Sequence, residues 1–171
     1  MKNLLILFIF SGFLFSVSTV NAQNFDSAVG LRLGYPLSIS YKKFINDSHA
    51  LEFMAGTRGN NTLLLGNSFR YRWFNVGGAY LVHAPLDMGD FGGLDWYFGG
   101  GASVNFWTYN YETDNANISF GIQGYLGLSY TFDDAPVNIS LDWVPSLFIG
   151  RTAFSGFGGG YGSLAVRYVL D

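Results

Sequence analysis

Cysteine is absent from this 171-residue chain, which excludes a disulfide scaffold, a thiolate metal site and a Cys nucleophile. Charge is scarce: Asp, Glu, Lys and Arg make up 12% of the residues, against roughly 25% in an ordinary soluble domain. Nine Lys plus Arg face twelve Asp plus Glu, for a net charge of −3, so the basic patch that would mark a nucleic-acid partner is lacking. Only four prolines accompany 23 glycines, and without a triplet period this is not a collagen-like chain. Long apolar runs are confined to the first twenty-two residues, and no later segment is apolar for long enough to cross a bilayer as a helix.

What the chain does have is apolar and aromatic residues, 49% and 19% respectively, which excludes a disordered protein. The length fits one folded domain. Residues 1–22 read as a secretory signal peptide: Lys2 supplies a positive start, Leu4 to Phe15 is mostly apolar, and Val20-Asn21-Ala22 offers small-residue cleavage before Gln23. The competing reading is an uncleaved anchor, which needs about 20 apolar residues; Ser16, Ser18, Thr19 and Asn21 cut this run short. Residues 23–171 are then the mature domain.

Within that domain the dominant period is two, the signature of half-buried strands. Val29, Leu31, Leu33 and Tyr35 alternate with Gly30, Arg32 and Gly34, and Leu37, Ile39 and Tyr41 with Ser38, Ser40 and Lys42. Leu51, Phe53 and Ala55 alternate with Glu52, Met54 and Gly56, and Phe74 to Val82 with Asn75 to His83. Four more alternating segments follow, Leu94 to Phe106, Ile118 to Phe132, Val137 to Leu147 and Leu164 to Leu170. Short polar turns, Asn46-Asp47-Ser48 and Asp133 to Pro136, exchange with longer or irregular links at Arg58 to Phe69, Thr108 to Asn117 and Arg151 to Gly160. The stretch Thr62 to Trp73 either extends the third and fourth strands or adds a hairpin.

Short turns at one end and long loops at the other are the habit of outer-membrane barrels. Charge placement decides which face is inside. The apolar parity of the eight segments carries no charged residue, whereas a soluble barrel would place many Lys and Glu outward. The other parity is small and polar, with Ser38, Ser40, Ser103, Asn105, Ser119, Gln123, Ser129, Thr131, Asn138 and Ser140, which suits a narrow lumen filled with side chains. The expected fold is therefore all-β, an eight-stranded antiparallel up-and-down transmembrane barrel. Tyr71, Trp73, Trp96, Trp107, Tyr109, Tyr130 and Tyr168 near strand ends are candidates for interfacial girdles. Pro145, which cannot donate to a ladder, is expected to mark a bulge or the upper limit of pairing.

The stretches GLRLGYPLSISYKKF, LDWYFGGG and GIQGYLGLSYTFDDAPVNISLDWVPSL resemble the small outer-membrane β-barrel proteins of Gram-negative bacteria, of the OmpX/OmpA-transmembrane type, especially members from the Bacteroidota. The resemblance spans nearly the whole mature chain. It implies the bacterial outer membrane as location, outer-membrane lipid as surroundings, and periplasmic chaperones and the barrel-assembly machinery as partners during biogenesis.

The most informative polar set is the charged one on the inward parity: Arg32, Lys42, Glu52, Asp95, Asp142 and Arg167, three positive and three negative groups that can neutralise one another in a lumen poor in water. Lys42 and Glu52 flank the Asn46 to Ser48 turn symmetrically about Asp47, so a hairpin there sets them opposite each other, and we expect a direct pair. The two histidines differ in parity, His83 with the lumen and His49 with Leu51, which disfavours a shared metal site because ligands must converge. The glycine-rich run Gly156 to Gly162 has Tyr161 in place of a last phosphate-loop glycine and no helix pattern after it; a flexible outer loop is expected. The reading is a monomer without catalysis or cofactor, structural or acting through its outer loops. The alternatives are a lipid-modifying barrel enzyme, which would need a Ser, His and acid constellation, and a narrow, porin-like channel for small solutes.

Overall fold

The computed structural model describes residues 25–34, 36–64, 67–86, 93–109, 117–150 and 156–170; the leader, residues 1–22, lies outside them. Ten strand segments follow in chain order: β1 (Ser27–Gly34), β2 (Leu37–Asn46), β3 (His49–Leu64), β4 (Asn67–Pro85), β5 (Leu94–Tyr109), β6 (Asn117–Thr131), β7 (Val137–Trp143), β8 (Ser146–Gly150), β9 (Gly156–Gly158) and β10 (Gly162–Leu170). Each neighbouring pair is antiparallel, and β1 pairs with both β2 and β10, which closes the sheet. Because β7 and β8 lie end to end against β6, and β9 and β10 run on in the same way, the ten segments make an eight-stranded barrel.

The period of two turns directly into two faces, since successive side chains on a strand point to opposite sides. In β2 the alternation is complete from Leu37 to Ile45: Ser38, Ser40, Lys42 and Phe44 are buried while Leu37, Ile39, Tyr41, Lys43 and Ile45 are exposed. At the near end, where β1 begins and β10 finishes, the turns are tight. The Asn46 side chain accepts hydrogen bonds from the backbone N–H groups of Ser48 and His49 at 3.1 and 2.9 Å, an Asx turn that holds the β2–β3 hairpin.

Several expectations need correction. The stretch Arg58 to Phe69 is largely strand: β3 and β4 stay in register out to Leu64 opposite Asn67. At the far end β3, which pairs with β2 only as far as Thr57 opposite Leu37, therefore runs on beyond its neighbour. The glycine-rich run is not wholly loop either, since Gly156–Gly158 pairs with β8 and Gly162 already belongs to β10. The bulge at Pro145 lies in the partner strand. The β6 register continues unbroken past Val144-Pro145, while Gly159-Gly160-Tyr161 sets three residues against those two, so the extra residue is on the β9–β10 side. Finally, among the described side chains, longer strands carry two charges onto the outward face, Lys43 at the near rim and Arg72 at the far rim.

Trp73 and Trp107 do not belong to an outward girdle. Both are buried inside the barrel, at 1% and 2% exposure, with rings stacked 4.7 Å apart. Their parity is that of Asn75 and Asn105, which also face inward. Trp96 and Tyr130 are half-buried and Tyr168 is exposed on the outward parity; the side chains of Tyr71 and Tyr109 lie outside the described residues.

The lumen is filled in three layers. At the near end Phe25 meets Phe44 edge-on, 5.1 Å between ring centroids, with Ala28, Ala50 and Leu81 buried around them. At the far end the Trp73–Trp107 stack is braced by Phe148, edge-on to Trp73 at 5.7 Å, and by Tyr161 edge-on to Phe148. The indole N–H groups are satisfied, Trp73 donating to Asn105 Oδ1 and Trp107 to Ser119 Oγ, each at 2.9 Å. Between these two closures lies a layer of charge.

Candidate functional site

Each charged residue of the middle layer sits on the inward parity of its own strand: Arg32 on β1, Lys42 on β2, Glu52 on β3, Asp142 on β7 and Arg167 on β10. An eight-stranded barrel is just narrow enough for long side chains from opposite walls to touch, and here they do. Arg32 reaches Glu52 Oε1 through Nη1 at 2.9 Å and Asp142 Oδ2 through Nη2 at 2.7 Å. Arg167 donates to the same Glu52 Oε1 at 2.6 Å and gives three more hydrogen bonds to Ser40, Asn138 and Ser140. Asp142 is held further by the Tyr97 hydroxyl at 2.6 Å and the Ser163 hydroxyl at 2.7 Å. Charge-assisted bonds of this length are the strong ones.

Lys42 is the odd member. The hairpin register does set it opposite Glu52, but the two guanidinium groups have taken the carboxylate's Oε1, and Lys42 Nζ stands 3.9 Å from Oε2. That separation is within ion-pair range and too long for a hydrogen bond. Oε2 has no hydrogen-bond partner in the protein. The ammonium lies over the Tyr97 ring, 4.7 Å from its centroid, and 3.4 Å from His83 Nε2. Asp95 is set apart from the rest of the charged set: its carboxylate faces His83 Nδ1 at 3.8 Å, so it connects to Lys42 only across that imidazole. Five of the six sequence-selected charges thus form one cluster, and the sixth is its neighbour.

Sequence reasoning placed Ser40, Asn138, Ser140 and His83 on the lumen parity and missed the two tyrosines. Tyr97 and Tyr125 wall the cluster, the Arg32 guanidinium lying 5.8 Å from the Tyr125 ring centroid, and His83 stacks on Tyr97 with centroids 4.9 Å apart. Their parity was a usable signal, since Tyr97 shares that of Asp95. Which opposite-wall partner each would meet was not legible.

The two histidines lie on opposite faces of the wall. His83 is buried at 1% exposure, whereas His49 is half-buried and its Nδ1 is 2.6 Å from the Tyr80 hydroxyl. A catalytic triad needs an imidazole held by an acid on one nitrogen and facing a nucleophile on the other. His83 instead has an ammonium near one nitrogen, while the other is 3.8 Å from Asp95 without a hydrogen bond. What the cluster can do, with Asp95 beside it, is balance its charges and fill the bore. Comparisons with known proteins found no matching family, no matching curated protein and no matching solved structure.

Proposed function

We propose that this chain is a non-catalytic integral barrel of the bacterial outer membrane, delivered through a signal peptide removed before Gln23, monomeric, and with a lumen closed by its own side chains. The observation that carries the reading is an inversion of polarity. Leu31, Ile39, Phe53, Val76, Ile122 and Leu141 expose 47–61% of their surface on the outside of the barrel, while Arg32, Lys42, Glu52, Asp142 and Arg167 are at 0–5% inside. In water so large an apolar surface would drive aggregation; in lipid it is the favourable arrangement.

In this reading the near end faces the periplasm and the far end, with its taller β3–β4 and β5–β6 hairpins, faces outward. The barrel's role is structural or lies in contacts made at that outer end. The layered lumen favours this over a solute channel, and the surroundings of His83 favour it over a lipid-modifying enzyme.

The test combines location with wall chemistry. The mature protein should fractionate with outer membranes and have the mass of a chain beginning at Gln23. Leu126→Arg, on the outward face, should abolish the heat-modifiable gel shift of the folded form, because Arg at the lipid midplane costs about 2–4 kcal/mol. Asp134→Arg, in the exposed β6–β7 turn, should fold as wild type. Equal folding of both variants would place the outward face in water and overturn the reading.

A further inference from the structure

Between the charged layer and the tryptophan stack the lumen is not solid. A partly open cavity of about 40 Å³, measured as room for a water-sized sphere, is lined by Arg32, Ser38, Asn75, Gln123, Tyr125 and Tyr161, among others. Asn75 lies two residues along β4 from Trp73 and is 5% exposed, yet its Oδ1 is buried with no hydrogen-bond partner in the protein. Leaving a buried acceptor unsatisfied is costly, and a polar cavity of this size beside one is the usual setting of an internal water site.

The lining selects the ligand by charge. An anion would approach Arg32, but Glu52 and Asp142 already neutralise that guanidinium at 2.9 and 2.7 Å and would repel it. A cation would meet Arg32 itself. The remaining class is a small neutral molecule that both donates and accepts hydrogen bonds, and the volume admits about three water molecules at 10–15 Å³ each. We propose that this cavity is a hydration site in which ordered water completes the hydrogen bonding of Asn75, so that water enters the lumen on the far side of Arg32 and is excluded from the apolar layer at the near end.

The exclusion at the near end follows from the packing there: Phe25, Phe44, Ala28, Ala50 and Leu81 are the near-end members of a buried cluster whose Tyr125 and Val144 reach the cavity wall. The proposal rests on the interior alone, so it stands or falls separately from the membrane reading tested by Leu126→Arg.

Two measurements on the folded wild-type barrel in micelles test it. Water-to-protein magnetisation transfer should give cross-peaks at the Asn75 side-chain amide and at Ser38, and none at Ala28, Ala50 or Leu81. Xenon under pressure, which enters dry apolar cavities and is excluded from hydrated polar ones, should leave the Met54 and Val144 methyl shifts unmoved, both residues lining the same cavity. Gln123→Met, which makes one wall apolar, should weaken the Asn75 cross-peak. Absence of the water cross-peak in the wild type, or a saturable xenon shift at Met54, would overturn the proposal.

Discussion

Glu52→Gln is the substitution on which the charged layer makes its sharpest demand. The change keeps the side chain's shape and one carbonyl oxygen, and removes only the charge. In the wild type the cluster sets Arg32, Lys42 and Arg167 against Glu52 and Asp142, with Asp95 behind His83 completing the balance. Two guanidinium groups lie 2.9 and 2.6 Å from Glu52 Oε1. For charge centres about 4 Å apart each attraction is worth about 4 kcal/mol at an effective dielectric near 20. Part is retained by the Gln oxygen and part by relaxation, so we expect a net loss of about 3–5 kcal/mol, the usual cost of stranding a buried charge.

Lys42→Met is the informative contrast. It removes a cation that makes no hydrogen bond to Glu52 and leaves Arg32 and Arg167 balanced by Glu52 and Asp142, with Asp95 behind His83 as the one acid left over, so the expected loss is about 1–2 kcal/mol, smaller than that of Glu52→Gln. In a Glu52→Gln background the same replacement removes surplus positive charge and should recover stability. A double-mutant cycle should therefore show coupling of about 1–2 kcal/mol. Urea unfolding of the folded barrel in lipid vesicles, followed by tryptophan emission, measures all four corners. A Lys42→Met loss equal to that of Glu52→Gln would refute the assignment of Glu52 as hub and make Lys42 its true partner.

Two further expectations concern the walls and the far closure. Trp73→Ala should cost about 3–5 kcal/mol, because it empties a fully buried stacking site and leaves Asn105 Oδ1 without its donor, whereas Tyr168→Ala on the exposed outward parity should change stability by under about 1 kcal/mol in the same urea assay; equal losses would put Trp73 outside the lumen. Gly127→Ala should slow or prevent folding, since a methyl there would meet the Leu141 carbonyl at 2.6 Å and the Tyr97 ring at 2.7 Å, while Gly100→Ala, whose nearest neighbour would be 3.8 Å away, should fold normally; heat-modifiable mobility separates the two.

The fold was legible because strand parity is a local property: two residues apart means the same face, and Ser38, Ser40 and Lys42 could be sorted from Leu37, Ile39 and Tyr41 without knowing any partner. The lumen charges were legible for the same reason, as was the facing of Lys42 and Glu52 across a tight turn. Sequence alone also contained the parity of Trp73 and Trp107, but an aromatic near a strand end fits a girdle and a plug equally, and only closure of the barrel showed which side of the wall they occupy. The extent of β3 and β4 was hidden because Arg58 to Phe69 lacks clean alternation; their pairing with each other sustains the strand where local pattern does not.

What the sequence by itself determined is the architecture and, the Trp73–Trp107 pair apart, the face on which most strand residues lie, because both follow from periodicity and turn chemistry within short segments. The contacts inside were decided by tertiary structure alone. Arg167 meets Glu52 across 115 residues of chain, and Arg32 meets Asp142 across 110, because the stagger of the closed strands sets which inward side chains share a level of the bore. That stagger is a property of the whole sheet, and it gave the Glu52 carboxylate to two arginines in place of the lysine its own hairpin set opposite.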